Sequence, residues 1–296
     1  MKITALPDAQ RSPQRRLAVG TFDGVHLGHR EVIAGSDSVL TFEPHPVSVV
    51  SPQHTPRLLT TLARKAELIA SLGVSELIVI PFDQGFAARS AESFVADVLL
   101  DALGASEVAI GENFRFGHRA QGDAALLRAQ HAFRTVVHPL LEVGGEVVSS
   151  SHIRGLVQAG EIAEANRLLG TPFQIAGEVR HGDARGRELG FPTANLIPDE
   201  ALACPGHGVY ACVIGEGPNA GMPAAVNIGV RPTFGTGRAE LIEAYILDFQ
   251  GDLYGSVLAL DFLARLRGER RFDGPQALIE QMHADVAATR QIVATI

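Results

Sequence analysis

Cysteine is nearly absent from this 296-residue chain, and lysine is as rare, with two of each. Cys204 and Cys212 have no metal-ligand spacing and are too few for a disulfide framework, so reduced thiols are expected and redox chemistry by the protein's own side chains is not. Lys2 and Lys65 leave 23 arginines among the 25 basic residues, a skew that codon usage explains and that carries no functional weight. No apolar run approaches the roughly 20 residues that a membrane span needs. The opening "MKITALPDAQRSPQRR" also lacks the apolar middle of a secretion signal, so the expectation is a cytoplasmic protein with no membrane partner. A formal net charge of -8 argues against a nucleic-acid partner, while leaving room for a local basic pocket that takes a phosphorylated ligand. There is no internal repeat and no low-complexity tract.

What is present is apolar residue, 46% of the chain, in a length that suits two domains. Residues 17 to 138 alternate short apolar runs ("RLAVGTF", "SVLTF", "ELIVIPF", "SEVAIG", "TVVHPL") with helical patterns such as "TLARKAELIASLG" and "AESFVADVLLDALG". That order predicts an α/β domain with a mostly parallel sheet. "SSSHIRGLVQAGEIAEANRLLG" reads as two short helices separated by Gly160 and closed by Gly170. From residue 172 the runs "FQIAGEVRHG", "GVYACVIG", "AAVNIGV", "LIEAYILDF" and "SVLALDFLARL" are divided by glycine turns, which predicts a closed antiparallel barrel. A last helix follows, with Ile279, Met282, Val286 and Val293 on one stripe expected to pack on the barrel. The predicted boundaries are 1–155 for the α/β domain, 156–170 for a helical connector and 171–296 for the barrel with its helix.

The segment "LAVGTFDGVHLGH" sets two imidazoles, His26 and His29, in a glycine-broken turn directly after a strand. Gly24 and Gly28 let the main chain approach a phosphate closely, and backbone N–H groups at a helix start attract anions. The histidines would then donate hydrogen bonds to phosphate oxygens as charge builds there. The residues alone also allow a plain strand-to-helix turn with satisfied histidines. Zinc fits less well, because no third ligand stands at a useful spacing. In "FEPHP", His45 reads as structural in a loop stiffened by prolines.

Several motifs now fall in order. "GTFDGVHLGH" carries the H-x-G-H signature of the nucleotidyltransferase superfamily, and "TFEPHP" (41–46), "GENFRFG" (111–117) and "VSSSHIR" (148–154) follow it. In the second half come "GEVRHGDARGRELGFPTANL", "GVYACV", "NIGVRPTFG", "IEAYILDFQGDLYG" and "LRGERRF". Together they resemble the prokaryotic bifunctional riboflavin kinase and FAD synthetase family, from about residue 17 to 290. The resemblance implies a Rossmann-like α/β nucleotidyltransferase domain and an all-β flavokinase barrel with a C-terminal helix. It implies ATP-dependent phosphorylation of riboflavin to FMN, then adenylylation of FMN to FAD with release of pyrophosphate. Magnesium is the implied cofactor, ATP the co-substrate, and a monomer or weak homo-oligomer the expected state.

In the adenylyl-transferring half the resemblance places Gly20, Phe22, Asp23, Gly24 and Gly28 with His26 and His29 around ATP. Ser149, Ser150 and Arg154 suit its β- and γ-phosphates, although a serine at a helix start also caps it. Asp23 either helps to hold magnesium or caps the turn. Asn113 and Arg115 follow a strand, at the sheet edge where α/β folds bind ligands, and the family suggests nucleotide or flavin contact there. In the kinase half, the family position of the catalytic glutamate falls on Glu243, which a reading of residues alone would leave as a solvent-facing carboxylate. Alternation puts Glu243, Tyr245, Leu247 and Phe249 on one face. Gly182, Arg185, Gly186, Arg187, Gly190 and Pro192 supply a phosphate loop, while Thr193 and Asn195 offer neutral oxygens to Mg²⁺ and ATP. This is not a P-loop, since no Lys-Ser/Thr pair follows a glycine run. Arg267 and Glu269 either contact flavin or form a surface ion pair.

The chain departs from the family pattern in three places. Only 12 residues separate His29 from Phe42, which restricts the first helix to about two turns. Ser151 stands where threonine is usual, and Tyr245 where histidine is common. Two rival readings fail on residues. The intact His26, His29, Ser149, Ser150 and Arg154 argue against a kinase whose N-terminal half only binds nucleotide. Thr193, Asn195 and Glu243 would be needless in a flavin carrier without catalysis.

Overall fold

The computed structural model describes residues 1–181, 190–233 and 237–295. The chain divides into two compact units, Met1–Ser150 and Ser151–Ile296.

In the first unit the elements run β1 (Lys2–Ala5), β2 (Arg15–Val19), α1 (Leu27–Ile33), β3 (Ser38–Glu43), α2 (Pro46–Val50), α3 (Leu62–Ser71) and β4 (Glu76–Pro81). Then come α4 (Gln84–Ala87) and α5 (Ala91–Ser93), which runs on into a wider-wound helical segment, Phe94–Ala102. The unit continues with β5 (Ala105–Gly111), α6 (Ala124–Arg128), β6 (Arg134–His138) and the strands β7 (Glu142–Val143) and β8 (Glu146–Val147). Six strands form a parallel sheet in the order β1-β4-β3-β2-β5-β6. Leu17, Val19, Leu40, Phe42, Ile78 and Ile80 enter one core, whereas Ala18, Val39 and Leu77 enter another. Alternate residues of each central strand therefore bury opposite faces, which is why these strands read as continuous apolar runs.

Chain order along the sheet reverses between β2 and β5, so the loops leaving their C-terminal ends diverge and open a crevice. The first helix is two turns long, as the short spacing after His29 required. β1 escaped the sequence pattern, whose strands begin at residue 17: four residues, "KITA", with one buried side chain carry too little alternation to be seen. What recruits β1 is the sheet edge, where Thr4 donates to Glu76 (2.7 Å) and Glu76 also takes the buried Arg15 guanidinium (2.8 Å). The hairpin of β7 and β8, turning through Gly144 and Gly145, is likewise unmarked by any pattern in the sequence.

The second unit begins with the rest of α7 (Ser150–Ala159), followed by α8 (Ile162–Leu169). Six antiparallel strands close a barrel in the order β10-β13-β12-β11-β14-β9. They are β9 (Phe173–Arg180), β10 (Ala194–Leu196), β11 (Gly208–Ile214), β12 (Pro223–Thr233), β13 (Gly237–Ile246) and β14 (Val257–Arg267), and α9 (Pro275–Val293) comes last. Ile175, Tyr210, Cys212, Val226, Ile228, Ile242, Ala244, Leu260 and Phe262 are fully buried within it. Both cysteines are buried and outside any disulfide.

Three expectations need correction here. The helical segment before the barrel is not a bare connector, because α8 packs on β14 and β9 and buries Ile162, Ala165, Leu168 and Leu169. Asn166 bonds the Phe262 carbonyl (2.8 Å) and accepts the Phe173 N–H (2.7 Å), and Gly170 ends α8 in the left-handed conformation that glycine adopts at least cost. On α9 the stripe of Ile279, Met282, Val286 and Val293 is only half-buried, and the deepest residues are Asp285 and Thr289. An ion pair holds this helix where an apolar stripe was expected. Alternation along β13 holds for Glu243 and Tyr245 but ends with the strand at Ile246, so Leu247 is buried instead of sharing their face.

The packed helices imply where a stable fragment starts. A fragment of residues 151–296 should melt cooperatively, whereas 171–296, which lacks α8 and the Asn166 bridge, should melt at a lower temperature in calorimetry. Identical melting of the two would deny α8 a part in the barrel's stability.

Candidate active sites

The turn after β2 is folded against its own steric preferences. Phe22 and Val25 have φ values of 49° and 43°, a left-handed conformation that costs a non-glycine residue about 1–2 kcal/mol. Gly20 is needed because a Cβ there would meet the Phe22 ring at 2.9 Å. The turn is held from several sides. Asp23, almost fully buried, accepts N–H bonds from Leu59 (2.8 Å) and Thr60 (3.2 Å) on one carboxylate oxygen. Gly24 donates to the Thr60 hydroxyl (3.1 Å), Thr41 donates to the Thr21 carbonyl (3.1 Å), and Ser150 donates to the Asp23 carbonyl (3.0 Å). Asp23 thus clips two loops together, and its carboxylate oxygen is occupied by backbone donors. A strained conformation that its surroundings over-determine is the kind found at ligand clamps.

His26 caps α1, accepting the His29 N–H on Nδ1 (3.2 Å), a bond that leaves the proton of the neutral ring on Nε2. The His26 and His29 rings stack at 3.5 Å, and Phe22 meets His29 edge-on at 5.3 Å. Burial lowers the His26 pKa to about 4, offset in part by a backbone hydrogen bond and aided by Arg30. Burial, then His26, then Lys65 push His29 well below its ordinary value. Both imidazoles are therefore neutral near pH 7. The His29 Nδ1 is buried with no hydrogen-bond partner among the described residues. The neighbouring loop, after β5, carries the exposed Asn113 and Arg115 at the same end of the sheet. Ser149 and Ser150 lie where α7 starts, and Arg154 follows Ser150 by four residues, on the same helix face. His45 caps α2 through Val47 N–H (3.3 Å), the structural part expected of it.

In the barrel, Glu243 on β13 stands directly opposite Asn195 on β10 and Asn227 on β12. Residues paired across antiparallel strands share a face, so the carboxylate lies between two amides. Asn227 Nδ2 donates to Glu243 Oε2 at 3.3 Å. Asn195 is buried, Thr193 half-buried, and the preceding Phe191 is wedged edge-on against Tyr245 (5.2 Å) and His283 of α9 (5.1 Å). Gly190 takes φ of 87° and Pro192 is exposed, while Gly182, Arg185, Gly186 and Arg187 lie outside the described residues.

The relatives of this chain carry both halves. The FAD synthetase family model matches residues 8–152 and the riboflavin kinase family model matches 169–293. The bifunctional riboflavin kinase/FMN adenylyltransferase of Escherichia coli (strain K12) is 35% identical over 307 residues, covering 98% of this chain and 96% of that protein. This chain belongs to the bifunctional riboflavin kinase/FMN adenylyltransferase family. Relatives of the same description from Pseudomonas fluorescens (39% identical, 93% of this chain and 92% of theirs) and Bacillus subtilis (strain 168) (37%, 91% and 89%) agree. A solved Streptococcus pneumoniae structure described as a macrolide-efflux protein superposes with TM-score 0.88 at 29% identity, covering 98% of this chain and 99% of that one. Among the described residues no helix is long and apolar enough to cross a membrane. As a family member the chain is a transferase of flavin cofactor biosynthesis, a riboflavin kinase and an FAD synthetase in one polypeptide.

Within this family frame Arg267 and Glu269 do not form the ion pair that was one expected alternative, and Asn227 and Lys65 escaped the sequence reading. Arg267 does not pair with Glu269: its guanidinium is engaged by Asp285 of α9 at 2.8–3.1 Å, largely out of solvent. Glu269 instead lies 4.0 Å from His207 Nδ1, with one oxygen close to Gly229. Asn227 has no signal in the sequence, because an asparagine in "AAVNIGV" carries no motif of its own, and only strand register sets it beside Glu243. Lys65 is similarly silent. Its one signal is rarity, and only packing shows it buried beneath the first unit's surface.

The neutral histidines make stability pH-dependent. An unfolded imidazole titrates near 6.5 but His26 in the fold near 4, so the unfolded state binds more protons between these values and stability falls as pH falls through that window. His26 alone should cost about 3 kcal/mol between pH 7 and pH 4, since each pH unit between the two values takes away about 1.4 kcal/mol. Urea denaturation of the wild type and His26→Gln across this range should show a flatter pH dependence in the variant; parallel curves would refute the assignment.

Proposed function

We propose that adenylyl transfer takes place at the turn after β2, with His26 and His29 on the nucleotide phosphates, and that riboflavin is phosphorylated at the Asn195–Glu243–Asn227 row. The observation that carries this reading is that each unit has its own polar centre: a stacked neutral histidine pair in one and an amide-flanked carboxylate in the other.

In the first reaction the phosphate of FMN attacks the α-phosphorus of ATP, the bond to the β-phosphate oxygen breaks, and pyrophosphate leaves. No covalent enzyme intermediate is required, so positioning and charge stabilisation supply the rate. The His26 Nε2–H donates to a phosphate oxygen, and His29, whose buried Nδ1 has no partner among the described residues, takes up a bond when nucleotide arrives. Gly20, Phe22, Asp23, Gly24 and Gly28 shape the backbone that receives the phosphates. Ser149 and Ser150, with Arg154 one helical turn on, meet the β- and γ-phosphates. Asn113 and Arg115 contact the flavin.

In the second reaction Glu243 orients the ribityl 5′-hydroxyl, accepts its proton, and lets the oxygen attack the γ-phosphorus of ATP as ADP leaves. The Asn227 amide bond fixes the carboxylate for this task. Thr193 and Asn195 would hold Mg²⁺, and their hard, neutral oxygens beside a carboxylate suit that ion better than any softer metal. Bound there, it would supply neutralisation of the charge on the transferring phosphates. Among the described residues no three His, Cys, Asp or Glu come together to hold a metal. Gly190 and Pro192, with Gly182, Arg185, Gly186 and Arg187, line the phosphate path. Arg267 acts by anchoring α9 through Asp285, and Glu269 faces the flavin. The partners are then riboflavin, FMN and ATP in the cytoplasm, without nucleic acid or membrane, and the protein works as a monomer or weak homo-oligomer.

Separate sites predict separable losses. His29→Ala should abolish FAD formation while FMN formation from riboflavin persists; unchanged FAD output would remove the histidines from the mechanism. Glu243→Gln should lower FMN formation by about 10² or more yet leave adenylylation of supplied FMN nearly intact. Equal loss of both activities, or of neither, would contradict the assignment, and chromatographic separation of FMN from FAD over time reads both.

A further inference from the structure

One buried cation takes no part in the chemistry so far assigned. Lys65 lies on the inner face of α3, 5% exposed, one turn after Thr61, whose carbonyl accepts its N–H at 2.9 Å. The residues that lead into α3 are the ones clipped to the strained turn: Leu59 and Thr60 donate to the Asp23 carboxylate, and the Thr60 hydroxyl receives the Gly24 N–H. Phe22 and Val25 of the turn share a core with Ala66, Leu68 and Ile69 of α3, the neighbours of Lys65. Burial lowers the Lys65 pKa below the ordinary ammonium value, and two carboxylates, Asp23 and Glu43 at the end of β3, oppose that shift and favour the charged form.

An ammonium withdrawn from water is costly, and it persists where fixed negative groups compensate it. A charge fixed in this way is already oriented before the reaction starts. The helix that carries it packs on the turn that bears His26 and His29, and the lysine's charge helps to push the His29 pKa down. Negative charge spreads over the phosphates as pyrophosphate departs, and a preorganised cation in a water-poor site lowers that energy without reorganising.

Resting on the reading that this turn holds the nucleotide, we propose that Lys65 is a positioning residue for adenylyl transfer. Its buried ammonium places a fixed positive charge beneath the turn that carries His26 and His29, without touching the substrate. It acts through the turn, and its effect appears in the chemical step more than in nucleotide binding.

The test compares Lys65→Met and Lys65→Arg in the full chain, assaying FAD formation from FMN and ATP with FMN formation from riboflavin as an internal control. Lys65→Met should lower kcat for FAD formation by about tenfold or more, a loss of about 1.4 kcal/mol in transition-state stabilisation, with KM for ATP changed by less than about threefold. Lys65→Arg should recover kcat to within about threefold of wild type, and FMN formation should be unchanged in both. A folded Lys65→Met with wild-type kcat overturns the proposal, as does a folded Lys65→Arg that recovers nothing. Should Lys65→Met not fold, the double variant Lys65→Met with Glu43→Gln removes the carboxylate left uncompensated and must show the same selective loss. Failure of both uncharged variants to fold, with Lys65→Arg folded, assigns Lys65 to domain stability and equally overturns it. His29→Ala separates the two readings: if that variant still makes FAD, the site itself is misplaced, whereas its inactivity beside an active Lys65→Met rejects the lysine alone.

Discussion

The first unit is organised around one carboxylate. Asp23 collects the backbone N–H groups of Leu59 and Thr60 and so joins the turn after β2 to the start of α3. That bond is what lets Phe22 and Val25 persist with positive φ, since strain of this kind survives only where the surroundings over-determine it. The stacked histidines follow from it, because His26 can cap α1 only if the turn delivers it to that end of the helix. Without the clip the backbone would relax and the two rings would lose their common orientation.

The barrel solves a different problem with a different device. Its interior is packed with apolar side chains, so chemistry has to be arranged on the outer face, where strand register decides which residues meet. Asn195, Glu243 and Asn227 form one cross-strand row, and the same register continues through Val209 to Arg267. Arg267 then binds Asp285 and so sets α9 against the outer face of the barrel. A buried pair of this kind contributes little net stability, but breaking it by removing one partner costs about 3–5 kcal/mol. Its value here is geometric: it fixes the helix whose His283 supports Phe191, and Phe191 precedes Thr193.

The two centres use opposite electrostatics for related chemistry. In the first unit burial holds both imidazoles neutral and leaves charge stabilisation to fixed dipoles and cations, which suits a reaction that needs no proton acceptor on the enzyme. In the barrel a carboxylate is kept half-exposed beside amides, where it can take a proton from an alcohol. In the proposed assignment each activity depends on groups that the other does not use.

Much of this was legible in the residues. Alternating apolar runs specified a parallel sheet before a barrel, the spacing after His29 limited α1 to two turns, and ordered motifs indicated the chemistry of each half. These are local properties, written in periodicity and in glycine, proline and histidine placement. Tertiary structure decided the rest. β1 exists because an edge of the sheet accepts four residues through Arg15, Thr4 and Glu76, which no local pattern encodes. α8 belongs to the barrel because Asn166 joins the start of β9 to Phe262 of β14, a strand distant in sequence. Asn227 and Arg267 acquired their partners from register and helix docking. Lys65 became buried only when α3 packed against the turn after β2, since burial is a property of the packed core and a lone lysine in a helical pattern reads as solvent-facing.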